Sequence, residues 1–128
     1  MTGSLRLAAV AAGLGALGVA LGAFGAHALA DMVTPERLAT WRTAASYHQV
    51  HALAGVVAGG LAAWRPSRAA RAASGLFLAG IALFSGSLYA LVLTDVGVLG
   101  AVAPLGGLAF IAGWLALATA LWQDAAGA

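Results

Sequence analysis

Residues Gly22–His51, GAFGAHALADMVTPERLATWRTAASYHQVH, decide the fold. They hold all three histidines, His27, His48 and His51, and the seam between two long apolar runs. At the seam, Thr34-Pro35-Glu36 reads as an N-cap followed by proline at the first helical position, so a helix should start near Pro35. Before the seam, Leu7 to Ala26 carries no charge, and about 20 apolar residues cross a hydrocarbon core. The expectation is a first spanning helix over about 6–27, a short interfacial helix over about 35–43 with Leu38 and Trp41 facing the apolar side, and a second spanning helix over about 44–64. Arg6 ahead of the first run imitates a signal peptide, but the run exceeds the usual 7–15 apolar residues, and the segment is read as retained.

Composition agrees with lipid as the solvent. Of 128 residues, 62% are hydrophobic and 8% charged, with a mean hydropathy of +0.97. A water-soluble domain carries about a quarter charged residues, so too little charge remains to cover an aqueous surface. The absence of cysteine excludes disulfides, thiolate metal sites and cysteine nucleophiles. A net charge of only +2 offers no clustered basic face for nucleic acid.

Further along, Arg65, Arg68 and Arg71 surround Pro66 in a turn, a third helix is predicted over about 72–94, and after Asp95 a fourth over about 98–122. The arginine turn marks the cytoplasmic side and, with Arg6, places both termini there. Trp64 and Trp122 fall at the inner interface, as aromatic belts require. Pro104 and Gly106-Gly107 sit in the first third of the fourth helix, making Pro104 a hinge candidate. The architecture expected is all-α: one integral membrane four-helix bundle over 1–128, up-down-up-down. A faint internal repeat, Gly18–Leu21 with Gly80–Leu83 and Ala54-Gly55 with Ala112-Gly113, admits two parallel-repeat hairpins.

Small residues should mark the contact faces in lipid. Gly15, Gly18, Gly22 and Gly25 form such a strip on the first helix, and Gly86 and Gly107 are further packing positions. The strip serves either packing within the chain or contact with a second copy or another membrane protein. On the second helix Val50, Leu53, Val57, Leu61 and Trp64 share one arc facing lipid, and Tyr47, His48, His51, Ala54, Gly55, Ala58 and Ala62 the opposite arc facing other helices.

The polar groups collect toward one half. His27 ends the first helix, His51 lies seven residues into the second, and Tyr89 and Ser85 precede Asp95 by six and ten residues. Deep polar side chains are functional candidates by default, so His27, Tyr47, His51, Ser85 and Tyr89 form the candidate pocket. Three readings stay open: mutual hydrogen bonding that only fixes the bundle, an outer-half site that binds or passes a small polar ligand, a lipid headgroup, an ion or a proton, and a metal or haem site. The metal reading rests on His48 and His51 at i and i+3 with His27 as a third ligand, and lacks a supporting carboxylate; His48 should lie near the membrane surface facing water. Haem would need His27 with His48 or His51. Ser85 in FSGSLY lacks the strand-to-helix turn of a hydrolase nucleophile. No cofactor is expected, and the reading leans to a non-enzyme. The remaining charges read as topology determinants and solvated loop groups.

GAFGAHAL at Gly22–Leu29, LFSGSLYAL at Leu83–Leu91 and APLGGLAFIAGW at Ala103–Trp114, with Trp41-x-Thr43-Ala44 and Tyr47-x-x-x-His51-Ala52-Leu53, resemble the small four-helix membrane family of bacterial YgdD and human transmembrane protein 256. The resemblance spans about residues 5 to 122. It implies four spanning helices in the bacterial inner membrane and no accepted activity. The family pattern matches Gly22, Gly25, His27, Tyr47, His51, Ser85, Gly86, Ser87, Tyr89, Pro104 and Gly107, and leaves His48 out. Where the family often has Thr-Pro, this chain has Ala103-Pro104.

Overall fold

The computed structural model describes residues 1–127; Ala128, the last residue of the expected domain, lies outside them. All regular structure described is helical. Four long helices follow in order: α1 (Thr2–His27), α2 (Pro35–Trp64), α3 (Arg68–Thr94) and α4 (Ala103–Ala126). Two short 3-10 turns, Leu29–Asp31 and Gly97–Ala101, lead into α2 and α4. Thr34 caps α2 by accepting a hydrogen bond from the Arg37 N–H, and Ser67 caps α3 through the Ala70 N–H.

The separate interfacial helix over 35–43 does not exist: α2 runs unbroken for 30 residues. No glycine or further proline interrupts the segment, and Thr40 and Thr43 return their hydroxyls to the Glu36 and Ala39 carbonyls. Trp41, expected to face the apolar side of an interfacial helix, is buried within the protein and donates its indole N–H to the Leu21 carbonyl of α1. Because α2 begins at Pro35, His48 and His51 stand at its middle, deeper than expected.

Pro104 is likewise not a hinge inside α4. It lies in the first turn, where a missing N–H costs no helical bond. The irregularity sits in α3, whose Ile81–Ser85 segment is a π turn closed by the Gly86 N–H on the Ile81 carbonyl. Its extra residue brings the Phe84 backbone against Gly106 of α4, where a Cβ would collide.

Successive helices pack antiparallel. Gly15 meets Ala52 and Gly59 meets Ala8 between α1 and α2. Ser74 bonds the Gly55 carbonyl and Ser85 the Ala44 carbonyl between α3 and α2, and Phe77 and Phe110 fill sockets at Gly113 and Gly80 between α3 and α4. The strip from Gly15 to Gly25 is therefore covered by α2 of the same chain. Gly107 packs on nothing within 4 Å, and Gly106 does the packing expected of it. Gly18 lies on His48 and Gln49, whereas Gly80, its expected repeat counterpart, lies on Phe110, which the repeat aligns with Ala52; the two hairpins pack roughly one turn apart in register.

Three stretches are long and apolar enough to cross a membrane: Thr2–His27, Arg68–Thr94 and Gly97–Ala126. Helix α2 is not among them, yet it is the most covered helix. Of its expected lipid-facing arc Val50, Leu53, Val57 and Trp64 are exposed and Leu61 is half-buried against the core; of the inward arc His48, His51, Ala54, Gly55, Ala58 and Ala62 are buried, whereas Tyr47 is exposed. Among its polar residues His48 and His51 are buried, while Glu36, Arg42, Thr43, Ser46, Tyr47 and Gln49 are exposed.

Candidate functional site

The five expected pocket residues do not share one site. His27 is exposed at the end of α1 and joins nothing. Ser85 is fully buried with its hydroxyl 2.7 Å from the Ala44 carbonyl, a bond in which the hydroxyl donates and α2 is pinned to the π turn. Tyr47 and His51 turn toward α4, and Tyr89 turns toward α1 with His48.

On the α4 side the His51 ring stacks on Phe110, with centroids 3.5 Å apart and planes 11° from parallel. Its Nδ1 is 2.7 Å from the Tyr47 carbonyl, which can only accept, so Nδ1 carries the proton. Nε2 is then a lone pair, and the Trp114 indole N–H donates to it at 3.1 Å. Both ring nitrogens are satisfied with His51 neutral, and protonating Nε2 would set two donors against each other. These two bonds hold His51 as a wall between α2 and α4.

That wall borders an open groove of about 460 Å³ between α2 and α4, lined by Tyr47, Val50, His51, Phe84, Phe110 and Trp114. Gly107 also lines it, and the open space above Gly107 belongs to the groove. Tyr47 and Trp114 are each 46% exposed at its rim.

On the opposite side His48, expected near the membrane surface and facing water, is 2% exposed. Its ring lies against Gly18, which has no side chain to obstruct it, and its Nδ1 is 3.1 Å from the Tyr89 hydroxyl. Gln49 donates to the Gly18 carbonyl beside it. The i, i+3 spacing thus sends His48 and His51 to different helices. Among the described residues no group of three or more histidine, cysteine, aspartate or glutamate side chains converges as a metal site, which removes the His27, His48 and His51 ligand set.

Three participants escaped sequence reading. Gln49 and Trp114 act through contacts on helices far away in sequence, and nothing local marks them. Arg37, read as a solvated charge, donates to the Val92 carbonyl and lies 4.0 Å from Asp95, capping the end of α3. The Thr34 to Arg37 register was the only available signal, because it aims Arg37 off the first turn of α2.

A family model described as "Protein of unknown function (DUF423)" matches residues 21–107. The chain is similar to the UPF0382 membrane protein YwdK of Bacillus subtilis, 45% identical over 105 residues, covering 81% of this chain and 85% of that protein. It is also similar to a UPF0382 membrane protein of Staphylococcus epidermidis, 44% identical over 104 residues with 81% and 84% covered, and to one of Haemophilus influenzae, 42% identical over 100 residues with 78% and 80% covered. No solved structure matches.

Proposed function

The chain belongs to the DUF423 family of membrane proteins of unknown function, and from that premise we propose that it is a non-enzymatic binding protein that holds a lipid-phase molecule in the groove between α2 and α4. The observation that carries this reading is the groove itself: about 460 Å³, floored by the bare Gly107 and walled by aromatic rings, with no side chain of this chain filling it. Interiors are otherwise close-packed, and four glycine sockets elsewhere in this bundle are filled by Trp41, Phe77, Phe110 and the Phe84 backbone. The occupant meets mostly carbon, with the Tyr47 hydroxyl as a polar handle at the rim. This favours an acyl or ring-bearing lipid over a small polar solute or a proton, since His51 is saturated as a neutral ring. The absence of a chemical step fits Ser85, whose hydroxyl is committed to the Ala44 carbonyl.

All four helices cross the inner membrane in this reading, α2 included, because His48 and His51 at its middle are buried by the other helices and its charged residues, Glu36, Arg37 and Arg42, lie in its first two turns. Antiparallel order brings both termini and the Arg65–Arg71 turn to one end with Arg6, and leaves Arg37 and Arg42 with Asp31, Glu36 and Asp95 at the other. The positive end is cytoplasmic.

The test is native mass spectrometry of the protein released gently from its membrane, beside quenching of tryptophan emission by phospholipids brominated on the tails. Gly107→Leu projects into the groove from a position where an added Cβ meets nothing within 4 Å, so it should keep wild-type thermal stability and lose both the retained lipid and the quenching assigned to Trp114. Equal lipid retention in wild type and Gly107→Leu would sink the reading.

A further inference from the structure

Tyr47 presents a donor to the groove between α2 and α4. It is 46% exposed at the rim, its ring rests against Phe84 and Phe110, and its hydroxyl makes no hydrogen bond among the described residues. The other polar side-chain atoms along the groove are already used: the His51 nitrogens by the Tyr47 carbonyl and the Trp114 indole, and the indole by His51. Part of the groove's wall is nonetheless polar, and of the side-chain atoms only the Tyr47 hydroxyl is free to meet a ligand there. A donor left unpaired within a bilayer is costly, so the position calls for an acceptor.

Depth selects that acceptor. With α2 and α4 both running inward from the outer face, Arg42 is the last charged residue of α2 before Arg65. Tyr47 follows Arg42 by five residues, about 7 Å at 1.5 Å per residue. Side chains on a helix lean toward its N-terminus, which carries the hydroxyl back toward the level of Arg42. On α4 the groove starts at Gly107 and ends at Trp114, about 6 to 16 Å below Ala103, and the lower figure is close to half of a hydrocarbon core of roughly 30 Å. The groove is therefore one leaflet deep, with its free donor at the headgroup end, carbon below, and no charged residue in its lining.

We propose that the groove takes one acyl chain of an outer-leaflet phospholipid and that the Tyr47 hydroxyl donates to the ester carbonyl at the head of that chain. This rests on the reading above, that the groove holds a lipid-phase molecule, and names its class. An ester sets its acceptor above a plain hydrocarbon tail, which is the order of groups along this groove. A quinone ring would bring a second carbonyl to a wall that has no second free donor. Gly107 and Tyr47 then divide the work: the bare floor admits a chain, and the phenol selects chains by their linkage and fixes their depth.

The test compares dipalmitoyl phosphatidylcholine with its ether-linked counterpart, dihexadecyl phosphatidylcholine, mixed equally in nanodiscs and read as retained lipid by native mass spectrometry. Wild type should retain the ester lipid roughly two- to tenfold over the ether lipid, one neutral hydrogen bond's worth of preference. Tyr47→Phe removes a hydroxyl with no partner in the protein, so it should keep wild-type thermal stability and retain the two lipids equally, whereas Gly107→Leu should lose both. Phosphatidylcholine brominated on its tails and placed in one leaflet of oriented proteoliposomes should quench Trp114, identified by its loss in Trp114→Phe, from the Arg37 side alone. Equal retention of the two lipids by wild type, an ester preference that survives in Tyr47→Phe, or quenching of Trp114 from the Arg65 side overturns the proposal and leaves the groove reading standing. So does a ring-bearing lipid in place of phospholipid on protein released from its own membrane. Equal lipid retention in Gly107→Leu and wild type overturns both.

Discussion

Glycine substitutions along α1 and α4 separate what each bare position is for, and Gly25→Ala is the sharpest of them. A Cβ at Gly25 would sit inside the Trp41 indole, which is 1% exposed and has nowhere to retreat. Overpacking a filled core costs about 1–3 kcal/mol. Moving the indole also breaks its 2.8 Å bond to the Leu21 carbonyl, worth roughly 0.5–1.5 kcal/mol. Alanine returns up to about 1 kcal/mol of helix propensity, so the net loss is roughly 1–3 kcal/mol. Gly18→Ala should cost less, because its contacts begin at 3.1 Å and include the flexible Gln49 chain, and Gly107→Ala should be neutral or slightly stabilising. The assay is reversible unfolding in mixed detergent micelles, followed by helical circular dichroism and tryptophan emission. Equal stability of Gly25→Ala and Gly107→Ala would refute the reasoning, because the two differ chiefly in what the added methyl meets.

Three further outcomes follow from single contacts. Trp114→Phe removes the donor to His51 Nε2 while keeping an aromatic wall; it should cost about 1–2 kcal/mol and shift His51 alone in a histidine-labelled spectrum. Arg37→Met uncaps the end of α3 at Val92 and should cost about 1–2 kcal/mol, measured by unfolding, with earlier amide exchange at residues 91–94. Asp95 is the one non-glycine residue with positive φ among those described, at 59°, so Asp95→Gly should be near neutral and Asp95→Val should cost about 1–2 kcal/mol by the same assay.

Much of the fold was legible because lipid makes crude demands. Uncharged runs of spanning length locate α1, α3 and α4 without help from tertiary structure, and the exposed arc of α2 follows from helical periphery alone. What escaped reading depends on contacts between helices. A break was expected before Ala44 because the residues around Trp41 and Arg42 look interfacial, yet Trp41 finds a socket at Gly25, a pairing that no spacing rule gives. The candidate site was half legible for the same reason. Periodicity turned Tyr47, His48 and His51 inward, but an angular difference of one turn position decides whether a ring meets α4 or α1. Ser85 was expected at a pocket and is instead consumed by a carbonyl of α2, because the π turn rotates the face of α3 at that point.

The glycine strip takes on a second meaning once the polar partners of α1 are considered. Trp41 donates to the Leu21 carbonyl and Gln49 to the Gly18 carbonyl, so two side chains of α2 are satisfied by the backbone of α1. Helical carbonyls already accept one bond each and are normally screened by neighbouring side chains; leaving out side chains at Gly18, Gly22 and Gly25 bares their second lone pairs. A helix too polar to be comfortable in lipid can then be held there by the backbone of a helix whose facing surface has little side chain at all. The same absence that lets the helices approach also supplies the acceptors that make α2 tolerable in the bilayer. On this argument a larger residue at Gly18 or Gly22 should do more harm to α2 than to α1, since α1 remains apolar and α2 loses its acceptors.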